Sequence, residues 1–376
     1  MSSTFKKFTD TDKVSTRTLL HEAIPITASI VSGSYVASGA PTNCKSYAHG
    51  MFQSVYDYPY LSSSANHIFD ISVGISPSSA LSSSTTAITQ QSKKINMYNQ
   101  MAQVLMGYDA TGSILRFDAD GNLGTGADKM NEVFFINFSR LLVKDEVAKG
   151  TFQLELDVES AHTTAGQPFT NSRIRLNDLS ASAGFHVNSP AGEYGILYAN
   201  TTTSTALVDG ETLADATTYA PCGLIYYQAG VAVLSGSIFE DAATGGILKA
   251  TPGSSVLRNG IVAGSDAAIT GSTIDEIADG LRHRIYNIQF NNTIELNSTV
   301  YFCRANHNEY NYSANPTYLT GSRIRVKKQA SDNPISYITS VGLYSADGAL
   351  LGVAKLSEPI KKRPSEEYIF RCRVDY

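Results

Sequence analysis

The chain changes its hydrophobic period along its length, and those changes outline its elements. Between about 91 and 106, Ile95, Tyr98, Met101 or Ala102, and Leu105 recur at steps of three and four, which predicts a helix with one buried face, closed by Gly107. From about 110 the period falls to two. Phe152, Leu154, Leu156 and Val158 alternate with Gln153, Glu155 and Asp157, the pattern of a strand with one buried and one wet face. Val133 to Val143 is an almost unbroken apolar run, which predicts a strand buried on both faces, and Lys144–Gly150 between the two runs predicts a hairpin. Gly195–Tyr198 reads as a short strand. Leu224–Tyr227 and Val231–Leu234, separated by Gln-Ala-Gly230, read as a second hairpin.

Thr273 with Glu276 predicts a capping box for a short helix carrying Ile274, Ile277 and Leu281. After it the chain reads as strand after strand: 284–290, 298–305, 322–326, 336–344, 350–356 and 367–374. Ser345-Ala-Asp-Gly348 predicts a tight turn between two antiparallel neighbours. The first 40 residues hold one apolar patch, Ala23 to Val31, and no sustained period, so they read as an extended arm ordered against a partner. The expected class is therefore mainly β, with two β-rich, sandwich-like units, a few short helices and that arm. The expected division is 1–40 arm, 41–109 loop and helix, 110–240 β-rich domain, 241–281 linker with a short helix, and 282–376 C-terminal β-domain.

Composition changes the picture in one respect. Charged residues make up 17% of the 376, against roughly 25% in ordinary soluble domains, and Ser, Thr, Gly, Ala and Asn take their place. So lightly charged a surface repels its own copies weakly, as suits an assembly subunit, and a β-rich globular protein with polar turns gives the same figures. A net charge of −5 with scattered cations argues against nucleic acid as a partner. The densest basic groups, Arg323, Arg325, Lys327, Lys328 and then Lys361, Lys362, Arg363, read as solvated strand ends. No apolar run reaches the length of a membrane-spanning helix, so no membrane is expected. Cys44, Cys222, Cys303 and Cys372 stand far apart, without a CxxC pair or a secretory leader before them, so reduced thiols are expected and a disulfide framework is not.

Candidate chemistry is sparse. Ser160 and His162 would share a strand face, but about 6.6 Å apart along the backbone and with Asp157 and Glu159 turned away, so no triad forms locally. No nucleophile elbow, zinc-protease motif or phosphate loop occurs. Asp118, Asp120 and Asn122 fall at the first, third and fifth positions of a calcium loop. Leu123 then stands where that loop needs glycine and Lys129 where it needs a closing glutamate, so a plain turn is expected and no cofactor. Asn306, His307, Glu309, Tyr310 and Tyr312 form the most polar-aromatic stretch. They suit either an ordered loop whose Tyr310 and Tyr312 pack on the sheet or on a neighbouring subunit, or a carbohydrate-contact surface on which the rings stack and Asn and Glu bond hydroxyls.

The runs Tyr286-Asn-Ile-Gln-Phe-Asn-Asn292, Glu295-Leu-Asn-Ser-Thr-Val-Tyr-Phe-Cys-Arg-Ala-Asn306, Glu309–Thr317, Ile335–Tyr344, Leu351–Ile360 and Phe370–Tyr376 resemble the C-terminal part of virion structural proteins of tailed bacteriophages, especially large, contractile-tailed ones. The resemblance covers about the last 90 residues and carries no catalytic signature. It implies a non-enzymatic component of the neck, collar, tail or baseplate, assembled in the host cytoplasm, whose partners are other virion proteins and copies of itself. A tail-fibre or receptor-binding module touching host glycan is the alternative.

Overall fold

The computed structural model describes residues 5–27, 43–82, 89–123, 129–157, 173–178, 184–201, 206–208, 211–213, 220–239, 268–313, 319–320, 323–324, 329, 331 and 333–376. The protein is mainly β. In chain order the strands are β1 (Lys13–Thr27), β2 (Cys44–Ser46), β3 (Gln53–Tyr56), β4 (His67–Ile75), β5 (Glu132–Phe138), β6 (Glu146–Val147), β7 (Gln153–Asp157), β8 (Arg173–Asn177), β9 (His186–Ser189), β10 (Gly192–Thr201), β11 (Ala206–Val208), β12 (Glu211–Leu213), β13 (Ala220–Tyr226), β14 (Val231–Ser235), β15 (Ile285–Ala305), β16 (Leu319–Thr320), β17 (Arg323–Ile324), β18 (Ser336–Tyr344), β19 (Leu350–Lys362) and β20 (Tyr368–Asp375). The helices are α1 (Gln91–Leu105), α2 (Arg140–Val143), α3 (Ala268–Gly271) and α4 (Ile274–Arg284). Two compact units result, a larger one of His21–Ile294 and a smaller one of Met1–Leu20 with Glu295–Tyr376.

The larger unit is built on an antiparallel sheet in the order β15–β7–β8–β10–β13–β14–β5–β4–β3–β2. Its central strand β5 explains the unbroken apolar run. Phe134, Ile136 and Phe138 belong to one buried cluster and Val133 and Phe135 to another, so alternate side chains feed cores on opposite faces. Helix α1 closes one face through Tyr98, Ala102 and Leu105. It lies so near β4 that a Cβ on Gly74 would come within 2.9 Å of the Tyr98 backbone. Gly107, at φ +81°, ends that helix as expected, its amide reaching the Ala102 carbonyl. On the other face α4 buries Ile274, Ile277, Ala278 and Leu281, and its Thr273–Glu276 capping box is present.

The hairpin expected between Val133–Val143 and the Phe152 strand does not form. Ser139 caps the four-residue α2, its Oγ accepting from the Leu141 amide at 3.3 Å, and Lys144 takes a positive φ of 59°. The following amides then bond elsewhere, Asp145 to Thr293, Val147 to Tyr227 and Ala148 to Asn291. Strand β5 pairs with β4 and β14, and β7 pairs with β8 and β15. The β13–β14 hairpin forms as read, with Gly230 at φ +67°.

The expected divisions shift as well. Residues 41–109 supply β2, β3 and β4 beside α1, and β4 pairs with β5 and buries most of its own side chains. Helix α4 belongs to the larger unit's core rather than to a linker, and the unit boundary falls inside β15 at Ile294 and Glu295, not near 282. The N-terminal segment expected as an arm contains the fifteen-residue β1. It hides no strict period because almost every residue of it is exposed, leaving neither face to be selected for burial.

In the smaller unit the outer half of β15 pairs with β20 over eight residue pairs, Ser298 with Asp375 through Ala305 with Tyr368. Strands β18 and β19 form a separate antiparallel hairpin, with Gly348 at φ +81° in the Ser345–Gly348 turn. The turn reading of the sequence therefore holds.

Candidate functional site

The smaller unit is where side chains are left without a core. Among the described residues its buried apolar side chains are Val300 and Ala305, and neither belongs to the two large clusters. Leu351 (73% exposed) and Ile369 (59%) stand open on its strands and Tyr376 (70%) just past β20, with Tyr337, Leu350 and Val353 also exposed. A two-stranded hairpin such as β18–β19 is marginal in water unless something covers it. Strand β18, Ser-Tyr-Ile-Thr-Ser-Val-Gly-Leu-Tyr, carries no charge and no proline, the usual guards of an edge strand.

A cavity of about 730 Å³ lies within this unit, lined by Phe5, Phe8, Arg304, Tyr310, Tyr344 and Phe370 among others. Phe5 stacks on Tyr344 with ring centroids 4.2 Å apart, and Phe8 lies 5.3 Å from Tyr301. Charged groups in and beside its wall form two ion pairs. Lys6 binds Glu309, whose carboxyl is held below its usual range chiefly by that bond. Asp12 accepts from the Thr9 hydroxyl and amide and from Arg304 Nε, which lowers its pKa to about 2.

The polar-aromatic stretch rims the same unit and is held firmly. The Lys362 ammonium, fully buried, donates to the His307 carbonyl (3.2 Å), Asn311 Oδ1 (3.1 Å) and the Arg363 carbonyl (2.8 Å). Lys362 is therefore not the solvated strand-end residue the sequence suggested; it faces inward and pins the 306–313 loop. Asn306 donates its amide to Glu309, and Ser336 Oγ donates to the Tyr310 carbonyl. His307 lies 3.2 Å from Glu367, so neither His307 nor Glu309 is a bare surface group. Tyr310, at φ +57°, and Tyr312 are 47% and 57% exposed. In the other basic group, Arg325, Lys327 and Lys328 lie outside the described residues, as do Ser160 and His162.

In the larger unit, Asp118, Asp120 and Asn122 form a turn stitched by their own amides, Asp120 N to Asp118 Oδ1 at 3.2 Å and Asn122 N to Asp120 Oδ1 at 3.1 Å. The Lys129 ammonium sits on Asp118, where a cation would have to bind. Burial, then the Asp120 carboxyl, raise Asp118, and its hydrogen bond holds Asp120 low. Among the described residues no group of three or more His, Cys, Asp or Glu side chains is placed to hold a metal ion. No described helix is long and apolar enough to cross a membrane.

Two buried polar groups escaped the sequence reading. Lys94 points inward from α1 and donates to the Ile269 and Ser272 carbonyls, both at 2.6 Å. Burial lowers its pKa to about 7. Asp178 accepts from the Gly150 and Phe152 amides and the Tyr227 hydroxyl, and burial raises its pKa. Both groups are buried and bonded to structural partners, so they tie elements together. The helical stripe around Lys94 shows only that one face is covered; what covers it is far away in sequence. The chain matches no family model, no curated protein and no solved structure.

Proposed function

We propose that this chain is a non-enzymatic structural subunit of a tailed-phage particle, in the neck, collar, tail or baseplate, and that its smaller unit is the surface by which it joins neighbouring virion proteins or copies of itself. The observation that carries the reading is that, among the described residues, the unit's apolar side chains have strands beneath them and almost no core to enter. Exposed apolar strand surface of this kind is characteristic of interfaces waiting for a partner. The uncharged β18 provides an edge to which an extended segment of a neighbour can add, and the resemblance of the last 90 or so residues to phage virion proteins supplies the kind of assembly.

The test is cross-linking mass spectrometry on purified phage particles that contain the chain, with hydrogen exchange of the free chain alongside. Residues 5–20 and 336–376 should cross-link to other polypeptides and exchange more slowly in the particle than in the free chain. Absence of the chain from particles, or a smaller unit equally open in both states, overturns the reading. The alternative, a receptor-binding module, rests on exposed Tyr310 and Tyr312 above a pinned loop; binding on a glycan array that is lost in Tyr312→Ala would favour it.

A further inference from the structure

The smaller unit holds two of the four cysteines, and its sheet brings them together. In the β15–β20 ladder Cys303 pairs with Phe370 and Tyr301 with Cys372. Paired residues share a face and residues two apart on a strand share a face, so Cys303 and Cys372 are diagonal neighbours on the same side of the sheet. Both are free and half-buried, and their side chains are near enough to influence each other. Cys303 also lines the cavity, which leaves a route for a small reagent. Diagonal neighbours on a flat ladder are about 7–8 Å apart at Cα, slightly beyond the usual span of about 4.4–6.8 Å for a disulfide. Because the two side chains leave the same face of the sheet, rotamer adjustment and a small strand shift suffice to close that gap.

We propose that Cys303 and Cys372 form a reversible cross-strand disulfide when the chain meets a low-molecular-weight disulfide oxidant such as oxidised glutathione. One thiolate attacks a glutathione sulfur, forming a mixed disulfide and releasing one reduced glutathione. The second cysteine sulfur then attacks the protein sulfur of that mixed disulfide and displaces the other glutathione, which takes up the proton. The two cysteines lose two electrons and two protons, and one oxidised glutathione becomes two reduced ones. Burial, then the neighbouring thiol, push Cys303 up to about 12, so attack by Cys303 itself is slow at neutral pH and quickens as pH rises. Cys44 in β2 and Cys222 in β13 lie on strands that are not neighbours, both buried, and they serve as internal controls.

The full-length chain would be equilibrated natively at pH 8 in mixtures of reduced and oxidised glutathione, then acid-quenched, alkylated and mapped without reduction. We expect a peptide linking Cys303 to Cys372, with the thiol count after denaturation falling from four to two and restored by reductant. Glutathione adducts without that linkage at any ratio, links between separate chains, or four thiols retained throughout would each overturn the proposal. The reading is independent of the assembly role, since it is scored on the isolated chain.

Discussion

The two units of this chain use the same kind of strand to opposite ends. In the larger unit the central strands are buried on both faces: β14 is covered along its whole length, and β5 feeds two separate cores. In the smaller unit β19 and β20 are exposed at most positions, yet the side chains are as apolar, with Leu350, Leu351, Val353, Ile369 and Val374 among them. Hydrophobic strand composition therefore does not by itself make a core. A core needs a second layer, which the larger unit has in α1 and α4. In the smaller unit, among the described residues, little is laid on the strands.

The sharpest way to break that comparison is to remove a core residue on one side of it. Phe135→Ala empties a fully enclosed site among Phe117, Tyr98 and the β4–β5 strands and should cost about 3–5 kcal/mol in urea unfolding. A loss near zero would mean that the larger unit's core is far looser than described. Next comes Gly195→Ala. A Cβ there would lie 2.0 Å from the Tyr227 hydroxyl, which is itself bonded to Asp178, so overpacking of about 1–3 kcal/mol is expected. Adding Tyr227→Phe should recover part of that loss, and no recovery would place the strain elsewhere.

Lys94 makes the core measurable by pH. Its folded pKa, about 7, lies below the ordinary 10.5, so between those values the unfolded chain binds more protons and stability must rise with pH. The two carbonyl bonds favour the charged ammonium, so the gain should be at most a few kcal/mol. Urea titrations from pH 7 to pH 10 on the natural chain and on Lys94→Met should differ in slope, the variant lacking the rise. Equal slopes would show that Lys94 stays charged.

The smaller unit should answer more weakly. Leu351→Ser, on an exposed position of β19, should change unfolding stability by less than about 0.5 kcal/mol while weakening attachment to a neighbour. A large stability loss would show that Leu351 is covered within its own chain. Smallest and most local is the acid response of the N-terminal turn. Asp12 titrates near 2 when folded against 3.8 ordinarily, so its contribution is present above pH 4 and is lost as pH falls toward 2. Hydrogen exchange at residues 9–13 should speed up in that window, ahead of the larger unit.

Much of the architecture was legible because it depends on neighbours in sequence. The helix over 91–105, the Thr273 box, the 224–234 hairpin and the Asp347-Gly348 turn all follow from residues within a few positions of each other. The mainly β class follows from their sum. The turn at Asp118–Asn122 was legible for the same reason, since its side chains bond amides two residues on. What tertiary structure alone decided are the relations across long stretches of chain. Strand β5 chose β4 and β14 over the adjacent β7, because the short α2 turned the chain away. Lys94 found carbonyls beyond residue 268, Lys362 turned inward to hold a loop over 50 residues earlier, and two cysteines at opposite ends of the smaller unit's sequence met on one sheet face. Periodicity reports that a face is covered. Which segment covers it depends on the competing free energies of all the available pairings, and no local window of the sequence contains that sum.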